Sequence, residues 1–431
     1  MKIYCSGIGG IGLSAYASLQ RAAGHDVLGS DRAVGAQHAA PLLDDLRSQG
    51  ITITLDQSGA SVPSDADVFV YSEAIPVEAP ERKRAKELGI PQKSYPEALG
   101  DLSKGHTVIA VCGTHGKSST TGMAARLLMH SGRDPTIVVG TKLKELEGRN
   151  WRKGRDGGIF LLEACEYRNS FHHYNPSIIL MTTCDGDHFD FYKSIEDYRA
   201  SFIAFIHRLP SNGTLITHLG DPDCRAIADA SDRTVIDADT EPLIALKTPG
   251  RHMQGNAQLV LALAKLLGIP DKQAQSAVSG YAGSWRRLEL KGTFGNGIPV
   301  IDDYGHHPRE IRATLDALIA EYPGRRIICA FQPHTHDRTL KLYQEFTECF
   351  RGIDTVVVTN VYEARKDIET EKVDLPAFIK DIEKASHVRC VDGCGIAETE
   401  KMLKGEVLRS GDVLVCMGAG DITGLASSMV A

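Results

Sequence analysis

A lysine set between glycines and hydroxyls is the most chemically pointed feature of this sequence. It lies in Gly113-Thr114-His115-Gly116-Lys117-Ser118-Ser119, after the apolar run Val108-Ile109-Ala110-Val111 and before a helical pattern. A turn of this kind aims several backbone N–H groups at one point, and the dipole of the following helix adds partial positive charge there. Lys117 would place a point charge on the β- and γ-phosphates of a nucleotide, and the Ser118 hydroxyl can ligate Mg²⁺. The usual P-loop has a glycine five residues before Gly116. Val111 stands there, so the loop is a shortened variant. The bland alternative is a helix N-cap with a chance Gly-Lys-Ser. The strand before the turn and the hydroxyl run after it oppose that alternative.

Carboxylates and histidines at other strand ends would complete such a site. Phe160-Leu161-Leu162 reads as a buried strand ending at Glu163. A carboxylate at the carboxyl end of a parallel strand faces the ligand crevice. Beside the loop, Glu163 is the favoured Mg²⁺ ligand; alone, it is as readily a solvated residue. A second strand, Ile178-Ile179-Leu180-Met181, leads into Thr183-Cys184-Asp185-Gly186-Asp187-His188-Phe189-Asp190, where His188 is a candidate for a second Mg²⁺ or for orienting the carboxylate. Two further turns adjoin strands: Asp302-Asp303-Tyr304-Gly305-His306-His307-Pro308, a dense set of polar groups for a structural loop, and Phe331-Gln332-Pro333-His334-Thr335-His336-Asp337-Arg338-Thr339, which follows the next strand. Near the start, Gly7, Gly9, Gly10 and Gly12 follow Lys2-Ile3-Tyr4-Cys5, with Ser30-Asp31 downstream. This Gly-x-Gly-x-x-Gly fingerprint sets a pyrophosphate at a helix N-terminus, whether the ligand is a nicotinamide dinucleotide or a nucleotide sugar.

The elements that must position these groups alternate between strand-like and helix-like runs, the pattern of α/β domains with parallel sheets. A chain of 431 residues is too long for one core. The breaks predict three consecutive open α/β domains: a Rossmann-like N-terminal domain over 1–100, a P-loop ATPase-like central domain over 106–295, and a Rossmann-like C-terminal domain over 296–431. The first helix of the third is marked by Pro308 at its start and by Ile311, Leu315, Leu318 and Ile319 at helical spacing. The formal charge of −7 argues against a general nucleic-acid binder. No apolar run is long enough to span a bilayer. Met1-Lys2 with Cys5 could open a lipoprotein signal, but the glycines that follow fit a strand-to-helix turn better. The ten cysteines are scattered singly, and Cys390 and Cys394 lack a second pair, so no zinc site is expected and the cytoplasm is.

Taken together, these loops resemble those of the Mur ligases. Gly-Thr-His-Gly-Lys-Ser resembles the family's ATP loop, with a histidine at the third place as in alanine-adding members. Glu163-Ala164-Cys165-Glu166 is similar to a family Glu-Ala-Asp-Glu; Cys165 replaces the Asp and is given no role. Asp185 stands where Glu is usual, and Phe202 where many members carry a carbamylated lysine, so no carbamate is expected. Pro249-Gly250-Arg251-His252-Met253-Gln254-Gly255-Asn256 resembles the segment that opens a helix beside adenine, with Met253 in place of an Asn and Asn256 retained. By the same resemblance Arg287, in Arg286-Arg287-Leu288-Glu289, would steady the γ-phosphate. Asp303 would contact the ATP ribose. Tyr304, His306, His334 and Arg338 would face an amino acid, with Arg338 gripping its carboxylate. Met417-Gly418-Ala419-Gly420-Asp421-Ile422 matches the last glycine loop, and Lys366, after Ala364-Arg365, replaces an acidic residue. Tyr71-Ser72-Glu73-Ala74-Ile75-Pro76 resembles Ser-Ser-Ala-Ile-Pro, with Glu73 a departure, so Ser72 joins the glycine turn and Asp31 around a nucleotide sugar.

The resemblance implies an ATP- and Mg²⁺-dependent ligase that joins L-alanine to the lactyl carboxylate of UDP-N-acetylmuramate through an acyl phosphate. It would be a monomer or homodimer with small-molecule partners, and with neither nucleic acid nor membrane among them. Three alternatives stay open: a recycling ligase for a whole tripeptide, an NAD(P)-dependent oxidoreductase fused to a P-loop module, and a nucleotide-binding regulator without chemistry.

Overall fold

A helix between two strands returns the chain to the same end of the sheet, so strands joined this way pair in parallel. The computed structural model, which describes residues 1–32, 40–189, 191–363 and 371–430, contains three predominantly parallel sheets. Asp190 and the Ala364-Arg365-Lys366 stretch lie outside the described residues. Two compact units hold the sheets: Met1–Leu243 with Asn256–Tyr281, and Ile244–Gly255 with Ala282–Ala431.

The first unit carries two sheets. The first is five-stranded and parallel, with β1 (Lys2–Ser6), β2 (Asp26–Ser30), β3 (Thr52–Thr54), β4 (Val68–Tyr71) and β5 (Gln92–Ser94) in the order β3-β2-β1-β4-β5. Strand order reverses between β1 and β4, which opens a crevice at their carboxyl ends. The second sheet has seven strands: β6 (Thr107–Cys112), β7 (Thr136–Leu143), β8 (Arg149–Arg152), β9 (Ile159–Glu163), β10 (Ile178–Met181), β11 (Thr214–Thr217) and β12 (Thr234–Asp237). Their order is β12-β11-β10-β6-β9-β7-β8, and only β8 runs antiparallel to its neighbour. Central strands buried on both faces read as unbroken apolar runs, as Val108–Cys112 does. Ala15, Leu19 and Leu99 belong to the same buried cluster as Phe160 and Leu162, so the first two sheets share a core.

The second unit carries six strands: β13 (Glu289–Phe294), β14 (Ile298–Asp303), β15 (Ile327–Phe331), β16 (Thr355–Val358), β17 (Arg389–Asp392) and β18 (Val413–Met417), in the order β13-β14-β18-β15-β16-β17. Only β13 is antiparallel. The helix after β14 runs Pro308–Glu321. His307 and Glu310 form a capping box at its start, and Ile311, Leu315 and Leu318 are buried. Among the described residues no helix is long and apolar enough to cross a membrane.

Candidate functional site

The phosphate loop joins β6 to the helix Lys117–His130, whose N-cap is Gly116. Two glycines make the turn possible. Gly113 has φ +130, and a Cβ there would lie 2.0 Å from Thr182 Oγ1. Gly116 has φ +79, and a Cβ would lie 2.6 Å from Asn256 Oδ1, so the retained asparagine stands against the loop itself. Thr114 donates its N–H to Thr183 O at 2.8 Å, and its hydroxyl bonds Tyr198 at 2.9 Å. His115 Nε2 lies 3.1 Å from Asp185 Oδ2. The Asp that stands in for Glu thus has a partner in the loop histidine. Ser119 is buried in the first helical turn.

Lys117 and Ser118 meet carboxylates at the end of β9 and in the segment that follows it. Lys117 Nζ donates to Gly113 O at 2.5 Å and to Thr114 O at 3.0 Å, and lies 3.0 Å from Glu166 Oε2. Burial works against the ammonium's charge. Glu166, Cys165 and Glu163 outweigh it and hold Lys117 above the ordinary lysine range. The Ser118 hydroxyl donates to Glu163 Oε1 at 3.0 Å, and the other oxygen of Glu163 accepts from Gly140 N–H at 2.8 Å. A hydroxyl and a carboxylate meeting at the mouth of a phosphate loop form a hard-oxygen donor set. That set suits Mg²⁺, which takes its remaining ligands from water and phosphate. His188 Nε2 lies 3.7 Å from Glu166 Oε1. Glu166 therefore links Lys117 to His188, although nothing in its sequence context assigned it a role. Phe202 is buried in the core, in ring contact with Phe171 and Tyr198.

The segment beyond Glu166 is strained. Arg168 and Asn169 sit in the left-handed region at φ 52 and φ 58. For a residue such as arginine that conformation costs about 1–3 kcal/mol and persists only where the surroundings impose it. Tyr192 OH donates to Glu166 O at 2.5 Å, and Ser201 Oγ donates to Asn169 Oδ1 at 2.5 Å.

At the amino-terminal turn, Gly7 has φ +78 and its N–H bonds Ser30 O at 2.9 Å. Gly10 caps the helix Ile11–Ala22 without a side-chain partner. Asp31 accepts from Gly9 N–H at 2.8 Å. A Cβ on Gly12 would lie 2.6 Å from the Tyr95 ring, so this glycine serves close helix packing. Ser72 closes the other side of the crevice: a Cβ on Gly7 would lie 3.0 Å from the Cβ of Ser72.

In the second unit the predicted amino-acid residues form one continuous set. The Tyr304 and His306 rings are 5.2 Å apart, and those of His306 and His334 are 5.5 Å apart. Arg338 Nη1 lies 3.1 Å from His334 Nδ1. Asp337, which could have neutralised Arg338 as a surface pair, bonds Lys341 at 3.1 Å. Tyr362 stacks on His334 at 5.7 Å, and Glu310 receives the N–H groups of His306 and His307; sequence reasoning named neither. Burial pushes the Asp303 carboxyl up, against the pull of Arg287; it accepts from Leu288 and Gly305 N–H, each at 2.8 Å. The adjacent arginines divide their work. Arg286 is buried, 3.2 Å from Asp302, and also bonds Gly418 O and Gly420 O. Arg287 stays partly exposed, with Glu310 at 3.5 Å and Tyr304 under its guanidinium.

A phosphate loop with paired carboxylates in one unit, and an arginine–histidine–tyrosine set in the other, define a nucleotide-dependent enzyme built from three α/β sheets. Three stretches match family models in chain order: residues 2–107 the catalytic domain of the Mur ligase family, 111–248 the Mur ligase middle domain, and 286–420 the Mur ligase glutamate ligase domain. The chain belongs to the Mur ligase family. It is 37% identical to a UDP-N-acetylmuramate–L-alanine ligase of Lachnospira eligens, across 98% of this chain and 96% of that one. It superposes on a UDP-N-acetylmuramate–alanine ligase from Thermotoga maritima with a TM-score of 0.81 and 27% identity, covering 100% of this chain and 98% of that one. A murein peptide ligase from Psychrobacter arcticus shares the fold, with a TM-score of 0.73 and 23% identity, covering 100% of this chain and 98% of that one.

Proposed function

We infer that this chain ligates L-alanine to the lactyl carboxylate of UDP-N-acetylmuramate with ATP, in peptidoglycan precursor synthesis. The observation that carries this reading is the near-complete alignment, at 37% identity, with a ligase named for that reaction. In the reaction, the lactyl carboxylate attacks the γ-phosphorus of ATP, releasing ADP and leaving an acyl phosphate. Lys117 neutralises charge on the transferring group, and Arg287 offers a fixed planar cation for the same purpose. Ser118, Glu163 and His188 would hold Mg²⁺, which when bound supplies further charge neutralisation on the phosphates. Alanine's neutral amine then attacks the acyl carbon, and phosphate leaves. Arg338 holds the amino acid's carboxylate, with His334 fixing the guanidinium and Tyr304 and His306 lining the same set. Gly7, Gly9, Gly10, Gly12, Asp31 and Ser72 hold the nucleotide sugar; Gly113 to Ser119, Asn256 and Asp303 hold ATP.

The test is phosphate release with each of alanine, glycine, serine and an L-Ala-D-Glu-containing tripeptide, with and without UDP-N-acetylmuramate. Release that requires both the sugar nucleotide and alanine is expected. A higher kcat/KM for the tripeptide would instead mark a recycling ligase, and tight NADH binding with no response to the sugar nucleotide would mark an oxidoreductase. Arg338→Lys should raise the KM for alanine about tenfold or more, because an ammonium cannot reproduce a bidentate fork, and should leave the KM for ATP unchanged.

A further inference from the structure

One short segment joins the turn after β4 to the phosphate-loop lysine. Glu73 lies one residue past Ser72 in that turn. Its carboxylate accepts from Ser170 Oγ at 3.0 Å, and its carbonyl accepts from Arg168 Nη1 at 3.4 Å. Ser170 and Arg168 belong to the 3₁₀ segment Tyr167–His173, whose N-cap is Glu166, the partner of Lys117 at 3.0 Å. The backbone between these contacts is the left-handed pair Arg168 and Asn169, and bonds from Tyr192 and Ser201 brace it from the far side. Holding that pair in the left-handed region costs free energy, so the bonds at the two ends of the segment are what keep it in this arrangement.

Resting on the functional reading above, we propose that Glu73 is a positioning residue. Through its grip on Ser170 and Arg168, the hold of Glu166 on Lys117 depends on whether the sugar-nucleotide turn is filled. Ser72 closes over Gly7, so a ligand in the glycine turn fixes the Ser72-Glu73 peptide. Fixing Glu73 holds the 3₁₀ segment in its strained form, which presents Lys117 to the nucleotide. Sugar nucleotide and ATP therefore bind with positive coupling.

Calorimetry on the full chain tests the idea, using a non-hydrolysable ATP analogue titrated with and without UDP-N-acetylmuramate. In the native chain the sugar nucleotide should raise affinity for the analogue about fivefold or more. Glu73→Ala should bring that ratio to within about twofold of unity and leave the analogue's affinity for the free protein unchanged. Ser170→Ala should act alike, the double variant should add nothing, and Glu73→Gln, whose amide oxygen still accepts from Ser170, should restore the ratio. An unchanged ratio in both alanine variants would overturn the proposal, as would a native ratio of one with both ligands bound. Failure of the native chain to bind the sugar nucleotide at all would overturn the functional reading together with it.

Discussion

The two glycine turns of the first unit end parallel strands alike, yet opposite charges close them. At Gly7–Gly12 a carboxylate takes the N–H of Gly9, whereas at Gly113–Lys117 an ammonium folds back on the loop's own carbonyls. Glycine spacing therefore reports only that a ligand comes close to the backbone; the neighbouring charge says how it is held. An acid beside a turn offers an acceptor to ligand hydroxyls next to the phosphate donors. Lys117, fastened by Glu166, sets a fixed positive charge beside the loop's own carbonyls.

Removing the lysine should break this contrast most severely. Lys117→Ala should lower turnover at least about 10²-fold, by analogy with other lost transition-state donors. It also leaves Glu166, fully buried, without its cation, so stability should fall by about 3 kcal/mol. Adding Glu166→Gln should recover the melting temperature and not the turnover; recovery of both would remove Lys117 from the reaction.

A single Cβ in each turn sharpens the contrast next. Gly116→Ala forces a side chain into the left-handed region and against Asn256, and should raise the KM for ATP about tenfold while sparing that for the sugar nucleotide. Gly12→Ala drives a methyl group into the Tyr95 ring and should do the reverse. If steady-state kinetics move the same KM in both variants, the two turns do not serve separate ligands. The smallest effect belongs to Asp31→Asn, which turns a charge-assisted bond to Gly9 into a neutral one. A severalfold rise in KM for the sugar nucleotide is expected, from a loss of about 1 kcal/mol, and isothermal titration should still show no NADH binding.

Much of this molecule is legible in the sequence because its chemistry sits where strands end, and glycine, lysine and acid spacing marks strand ends locally. Lys117, Ser118 and Glu163 could be named before their contacts were seen. The long-range partners could not. Glu166 lies 49 positions from Lys117, and only the pairing of β6 with β9 brings them together. The Asp185–His115 pair spans 70 positions. A shortened acid at 185 was visible in the sequence, and its reason was not. The two arginines at 286 and 287 are alike as letters; which one is buried depends on Asp302 and the Gly418–Gly420 loop, both supplied by the distant pairing of β14 with β18.

The core shared by the first two sheets has a consequence for anyone cutting the gene. Asn150 on β8 donates to Ile11 O at 2.5 Å, and the helix Ile11–Ala22 packs on β7 and β8. The amino-terminal hundred residues thus roof the only antiparallel margin of the neighbouring sheet. Excising them would uncover the surface of β7 and β8 on which the helix Ile11–Ala22 packs and the apolar seat of Leu99, a patch that invites association between fragments. Chimaeras spliced near residue 103 should need matched residues on both sides of that seam to remain soluble.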